Sequence, residues 1–468
     1  MATVYLLRKI VCYTDLYNTL LEVYVKTSTP TEIMKETDII GEEFDNIMRL
    51  IANNSLKMQQ FEIYAPLLKS LAHKSRKITN RPRCCVYPNC NSLSIKRSHS
   101  IAKGNSLKYI ADQGHVLQPV VDIFAKNLKV SMNLVGIKSA STFPGYCEKH
   151  EQIFQVIENG EIDEDSLIQL QTFRAICREI VWLNIEIDKI QNQIETYRTA
   201  IEQEALGILR HRLKQRGIEQ ELTKINIKNI DKLLISFQGM EKDFEKRLAY
   251  LKRLSEQILN EYNNQTIEEE RATINHGICI NHKFPVSLCG YTALAYGNKK
   301  SIKKMLLMTN IIPMENCTYI FCYADRVHSI FFKNIIDYYF QSSLTILCFI
   351  ETFMMHSSDH WFINPTYWKS FSKKKQEMIL SEILNVDRLI TDEFHYSIFD
   401  DVRKIILCEY QKHTYRWSDI DRIMVEKENH KLTNISSYTP FTENQHIEMI
   451  TKYWSERINK NNLRILDI

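Results

Sequence analysis

The most sustained pattern of apolar positions runs from Phe173 to Ile201. Phe173, Ile176, Ile180, Leu183, Ile187, Ile190, Ile194, Tyr197 and Ile201 follow one another at alternating steps of three and four. That spacing keeps one helical stripe apolar over many turns and predicts a heptad seam with isoleucine at most core positions. A second, less regular run predicts another helix: Leu233, Phe237, Met240, Phe244, Leu248, Leu251, Ile258 and Tyr262. No proline falls between Pro144 and Pro285, while Gly207, Gly217 and the polar stretch from Asn226 to Asp231 interrupt the period. Residues 161–270 are therefore expected to form a long antiparallel coiled-coil hairpin, each arm about 35–50 residues and about 50–75 Å long. Such an arm pairs with itself, with a second copy of the chain or with a partner protein; a bundle core is the plainer alternative.

The flanking patterns differ. Residues 1–80 read as a helical N-terminal region, because Thr29-Pro30-Thr31-Glu32 sets proline at the first helical position and Ile40, Phe44, Ile47 and Ile51 recur at helical spacing. Residues 271–468 read as a mixed α/β C-terminal domain. Ile274 to Leu288 and Tyr319 to Tyr323 have strand character, while Ser301 to Met308, Ile330 to Phe340 and Lys373 to Leu384 read as helices. Between lie short pieces. Ser94 to Ile101 alternates like a strand, Gly104 to Ile110 reads as a turn into helix, and Gly114 to Val116 and Lys129 to Val135 read as extended. A helix then starts at Cys147 and continues through Phe154 and Ile157. The fold class is α+β, mostly helical, with residues 81–160 as a small separate module.

Composition narrows the setting. The chain has 468 residues, 44% hydrophobic and 25% charged, in the range of a soluble globular protein of about three domains. A net charge of +4 is too small for a global field, so any nucleic-acid contact must be local. The N-terminal stretch lacks a signal-peptide pattern, and Ile330 to Met355 is broken by Lys333, Asp337 and Glu351, so no membrane span is expected. Twelve cysteines, mostly isolated among apolar residues, point to a reducing cytoplasm. The Walker, Gly-x-Gly-x-x-Gly and Gly-x-Ser-x-Gly signatures do not occur, which leaves nucleotide hydrolysis and serine-esterase chemistry without a foothold.

Chemistry concentrates in the small module. Cys85-Val-Tyr-Pro-Asn-Cys90 presents two thiols on a proline turn, and Cys147-Glu-Lys-His150 adds two ligands on one face of a starting helix. Two close pairs of soft and borderline ligands suit tetrahedral zinc, so Cys85, Cys90, Cys147 and His150 are the expected structural site. Cys84 gives the poorer spacing to Cys90 and is read as a bystander. His99, in Ser98-His99-Ser100 between the pairs, is either a general base or the fourth zinc ligand in place of His150. Basic residues surround it: Arg76, Lys77, Arg81 and Arg83 lead into the knuckle, and Lys96, Arg97, Lys103 and Lys108 lie close in sequence. They are read as phosphate contacts, the first four equally as a solvated linker.

Paired cysteines, a strand ending in histidine and a closing helix with more ligands resemble the HNH nuclease module, also called the ββα-metal or His-Me finger, over residues 84–158. The order Ser-His-x-Ile, then Cys-x2-His, also resembles a group of uncharacterised bacterial proteins. The resemblance implies an endonuclease in which His99 activates water and a divalent ion, Mg2+ or Mn2+, stabilises the leaving oxygen. By analogy it implies defence against foreign nucleic acid, including viral. Two departures stand out. Ser98 fills the position of the usual acidic or histidine metal ligand, so Glu151 or His115 would have to serve. The motif's asparagine has only Asn105 and Asn133 as candidates.

Two further clusters carry ligand-type side chains. His276, Cys279 and His282 have metal-ligand chemistry, but in a strand the middle residue points away from the other two. Glu351, His356, Asp359, His360, Trp361 and Tyr367-Trp368 read as a helix exit packed on the core, or as a second ligand pocket. The competing function is a non-enzymatic, zinc-stabilised adaptor or nucleic-acid-binding protein that assembles through the coiled coil.

Overall fold

The computed structural model describes residues 73–440 apart from 123–128, 161–162, 216, 218–234, 299–300, 384, 386–387 and 413–418, with a few positions between 442 and 449. The helices expected before residue 73 lie outside the described residues. In chain order come a helix over 73–80 (α1), the short strand β1 (Ser98–His99), a π-helical turn (Lys103–Leu107) running into α2 (Lys108–Ile110), and β2 (His115–Asp122). Next are β3 (Lys129–Gly136), β4 (Thr142–Phe143), α3 (Glu148–Glu151) and α4 (Gln155–Asn159). Two long helices follow, α5 (Glu164–Gln215) and α6 (Ile235–Asn263), then β5 (Thr273–Ile280), β6 (Val286–Asn298), β7 (Ser301–Pro313) and β8 (Thr318–Asp325). The rest holds α7 (Ser329–Tyr339), α8 (Ser343–His356), β9 (Trp361–Ile363), α9 (Pro365–Ser370), α10 (Lys373–Glu382), α11 (Asp400–Gln411) and α12 (Asp419–Asn434). The fold is α+β.

The chain divides into two compact units, one of residues 1–81 with 182–248, the other of 82–181 with 249–468. In the first, the facing parts of α5 and α6 run antiparallel where they touch. Gln191 donates to Glu241 at 2.8 Å, while further along α5 Tyr197 stacks on Phe237, earlier in α6, with ring centroids 5.7 Å apart. Helix α5 spans the whole heptad run, burying Phe173, Ile176, Ile180, Leu183, Ile187, Ile190 and Tyr197, with Ile194 half-buried. The side chains of Ile201 and Leu233 lie outside the described residues.

The second unit is built on a seven-stranded sheet of order β3-β2-β9-β6-β7-β8-β5, antiparallel at every pairing. It draws β2 and β3 from the segment between the two ligand pairs and the other five strands from residues 273–363. One sheet thus joins stretches that the sequence reading treats separately. The extended pieces expected near His115 and from Lys129 are β2 and β3.

One expectation is corrected. Ser301 to Met308 is not a helix but the first part of β7, paired with β6 from Ser301↔Asn298 to Leu288↔Ile311. From Met305 to Pro313 every residue of β7 is buried. A strand covered on both faces needs no polar alternation, so its continuous apolar run imitates a helical one. Helices α7 and α10 lie where Ile330 to Phe340 and Lys373 to Leu384 predict helices. The aromatic helix exit is core: β9 enters the sheet between β2 and β6, and Trp361 and Trp368 are both buried.

Candidate metal centre and its neighbouring histidine

The knuckle and the helix start bring the four expected ligands together. Cys85 donates its N–H to Ser92 O at 2.8 Å, and Cys90 donates its N–H to Tyr87 O at 3.1 Å. Asn89 closes the turn in the left-handed region at φ 61°, a conformation asparagine tolerates better than most residues. Cys147 is the N-cap of α3 in extended geometry, and His150 follows in the first turn. His150 Nδ1 then lies 3.5 Å from Cys85 Sγ and 3.4 Å from Cys147 Sγ, and Cys90 Sγ lies 3.9 Å from Cys147 Sγ.

Those distances test the fit. Metal–sulfur and metal–nitrogen bonds of zinc length, set at tetrahedral angles, give edges of about 3.8 Å between sulfurs and about 3.6 Å between sulfur and nitrogen. All four donor atoms lie within 4.8 Å of one another, so the group could hold a metal ion. The surroundings hold the ligands in place. Tyr87 stacks on the His150 ring at 3.8 Å and 9°, fixing its orientation. Burial pushes the Cys85 thiol up to about 11, whereas a backbone hydrogen bond from Ser92 lowers Cys90. Cys84 is exposed and outside the quartet.

His99 is also outside that quartet, so the alternative with His99 as fourth ligand has no support in the geometry. It ends β1, which pairs antiparallel with β4 as Ser98↔Phe143 and His99↔Thr142. Burial, reinforced by Arg174 and Lys103 and opposed by Glu158 and a hydrogen bond to the Ala140 backbone, holds its pKa down at about 4. The imidazole is therefore neutral at pH 7. Its Nδ1 lies 3.4 Å from Ser141 Oγ.

Beneath His99 is a buried ionic brace. Arg174, only 1% exposed, donates to Glu158 Oε1 at 2.9 Å and Glu151 Oε1 at 3.3 Å. Glu158 Oε2 accepts the Gly104 N–H at 2.6 Å, tying α4 to the start of the π-helical turn. Burial disfavours the Glu158 charge, but Arg174 and the backbone donors outweigh it and lower its pKa.

The remaining site candidates separate. Ser98 is wholly buried, and its Oγ accepts the Tyr146 N–H at 3.0 Å, which engages it in the fold. His115 is exposed, with Nδ1 2.9 Å from Gln113 O in its own turn. Asn105 is buried on the π-helical turn, and Asn133 is exposed on β3 opposite Gln118. Lys96, Arg97 and Lys108 are exposed, and Lys103 and Arg83 half-buried. In the other unit Arg76 and Lys77 are exposed on α1, and Arg81 pairs with Asp188 at 2.8 Å. His276 packs edge-on against Phe340, and His282 against Phe284; neither joins a metal-ligating group among the described residues.

A second such group, Cys348, Glu393 and Glu428, does exist. Lys431 Nζ fills it, 3.1 Å from Cys348 Sγ, 3.0 Å from Glu428 Oε1 and 2.5 Å from Glu393 Oε1. The sequence did not signal Ser141 or Arg174, and it placed His360 only in the aromatic helix exit, since the contacts of all three join distant segments. No family model, no curated protein and no solved structure matches this chain. No helix among the described residues is long and apolar enough to cross a membrane.

Proposed function

We propose that residues 81–160 form a zinc-stapled, HNH-like module that hydrolyses nucleic-acid phosphodiester bonds, with His99 as its general base. The observation that carries this reading is the placement of a neutral His99 at the end of β1, paired with β4 and followed by α3 and α4. That is a strand–strand–helix order with an insertion between the strands. Four protein ligands leave zinc no open position, so its role is to hold the knuckle against α3, and the chemistry falls to His99. A neutral imidazole takes a proton from water; an approaching phosphate offsets the Arg174 charge and raises the His99 pKa toward the working range. A divalent ion, Mg2+ or Mn2+, would neutralise charge on the phosphate. Lys96, Arg97, Lys103 and Lys108 would steer the backbone of the substrate.

A second reading is favoured by Ser98, whose Oγ is committed to Tyr146 in place of a metal. On that reading the zinc only shapes a nucleic-acid-binding or adaptor surface. In both readings the seam of α5 and α6 serves assembly, with itself or with a partner, in the cytoplasm; defence against foreign nucleic acid fits by analogy only.

The test is cleavage of single- and double-stranded DNA and RNA with Mg2+ or Mn2+, wild type against His99→Ala. The nuclease reading expects a loss of about 100-fold or more with zinc content and folding intact. Wild-type binding that weakens with salt but never leads to cleavage supports the adaptor instead.

A further inference from the structure

We infer that Ser141 is a positioning residue for His99: its hydroxyl fixes the imidazole tautomer that leaves Nε2 free to accept a proton. This rests on the nuclease reading for its catalytic consequence, though not for its geometry.

Ser141 sits just before β4 at φ 56°, one of few non-glycine residues in the left-handed region among those described. Serine has no special tolerance for that conformation, and residues held there against preference concentrate at functional sites. It is 4% exposed, and its hydroxyl and backbone oxygen are both engaged. The backbone oxygen accepts the Ser100 N–H at 2.9 Å and the Ser100 hydroxyl at 3.1 Å. The Ser141 hydroxyl donates to Ile101 O at 3.4 Å and meets His99 Nδ1 at 3.4 Å.

The hydrogens follow from these contacts. With its proton directed at Ile101 O, Ser141 Oγ offers only a lone pair to the imidazole. We take His99 Nδ1 to be the donor there, its N–H also serving the hydrogen bond that the ring makes to the Ala140 backbone. A neutral ring has one N–H, so the other nitrogen, Nε2, keeps its lone pair. The same logic reaches a residue far along the chain. Ser100 Oγ gives its proton to Ser141 O, so it accepts from His360 Nε2, 2.8 Å away. His360 is kept neutral by burial and by Arg178, and it stands immediately before β9. A residue from the C-terminal stretch therefore braces the serines that orient His99. The charged groups facing His99 are Arg174 from α5, Glu158 from α4 and Lys103 from the π-helical turn.

The experiment uses full-length protein with 15N-labelled histidine. Ring-nitrogen shifts report the His99 tautomer, and cleavage is measured alongside for wild type, Ser141→Ala, Ser141→Gly and Ser141→Asn. The wild type should show Nδ1 protonated. Ser141→Ala and Ser141→Gly should mix the tautomers and lower kcat about tenfold or more, with KM and zinc content little changed. The Gly variant relieves the left-handed backbone, so it remains informative if the Ala variant folds poorly. Ser141→Asn, which tolerates that backbone and can accept a hydrogen bond, should restore both the tautomer and the rate. Unchanged tautomers in the Ala and Gly variants would overturn the inference whatever the activity. A tautomer change in a protein that never cleaves nucleic acid upholds the positioning role and removes the nuclease reading alone.

Discussion

Among the described residues, two places gather metal-ligating side chains, and they balance their charge by different means. The quartet Cys85, Cys90, Cys147 and His150 has no cationic side chain at its centre; its thiol–imidazole edges have the lengths an ion would set. The group Cys348, Glu393 and Glu428 has the Lys431 ammonium in the corresponding place. Around it the charges are matched by protein groups alone. Arg403 donates to Glu351 Oε2 at 2.6 Å and to Glu428 Oε2 at 2.9 Å, and all three residues are buried. Glu351 Oε1 also accepts the Ile398 and Phe399 N–H groups, at 2.7 and 3.0 Å. Burial disfavours charge on Arg403 and Lys431, yet Glu351 and Glu428 raise the pKa of Arg403, and Cys348, Glu428 and Glu393 raise that of Lys431. Burial also pushes the Cys348 thiol up to about 12, and the Lys431 ammonium stands 3.1 Å from its Sγ. Nearness of ligating residues is therefore not enough; the charge at the centre decides between a metal site and an ion-pair network.

The largest expected effect is on the first region. Zinc analysis should find about one ion per chain, and Cys90→Ala or Cys147→Ala should each abolish it. Structural zinc binding contributes about 10–16 kcal/mol in small fingers, comparable with the whole stability of a domain. Loss of the ion should expose residues 82–160 to protease as well. A variant that keeps its full zinc content would remove the distinction between the two groups.

In the second region Arg403→Met should act on stability and leave zinc alone. It leaves Glu351 and Glu428 buried and under-compensated, a change that costs about 3–5 kcal/mol in comparable networks. A denaturant midpoint shifted well below wild type at constant zinc content is the expected outcome. A shift under about 1 kcal/mol would mean the network tolerates the loss, as a solvent-screened pair does.

The two regions also differ in how much of them the sequence shows. The quartet is legible because each ligand pair is local: a proline turn fixes one and the first turn of α3 fixes the other, so only the meeting of the pairs is long-range. The stripe on α5 is legible because periodicity belongs to a single helix. By contrast, Glu351, Arg403 and Glu428 come from α8, α11 and α12, and nothing near any of them marks the other two. The same holds for His360 and Ser100. Strand β7 failed for another reason: burial on both faces erased the alternation that distinguishes strand from helix.

Acid should separate the regions with the smallest effect. His99 has its folded pKa depressed to about 4 from an ordinary 6.5. The unfolded chain binds that proton first as pH falls, so stability is complete above 6.5 and is lost progressively toward the folded value. From pH 6.5 to 5 this one histidine contributes a loss of about 1–2 kcal/mol. The lowered carboxylates Glu351 and Glu393 follow a lower window: their contribution is present above the ordinary 4.5 and lost as pH drops through their folded values. Denaturation measured at pH 7, 6 and 5 should thus show a slope that His99→Gln reduces. Zinc content measured at each pH separates this slope from protonation of the thiolates, which would release the ion. If His99→Gln keeps the whole wild-type slope, His99 titrates near its ordinary value, and the depressed pKa attributed to its surroundings does not hold.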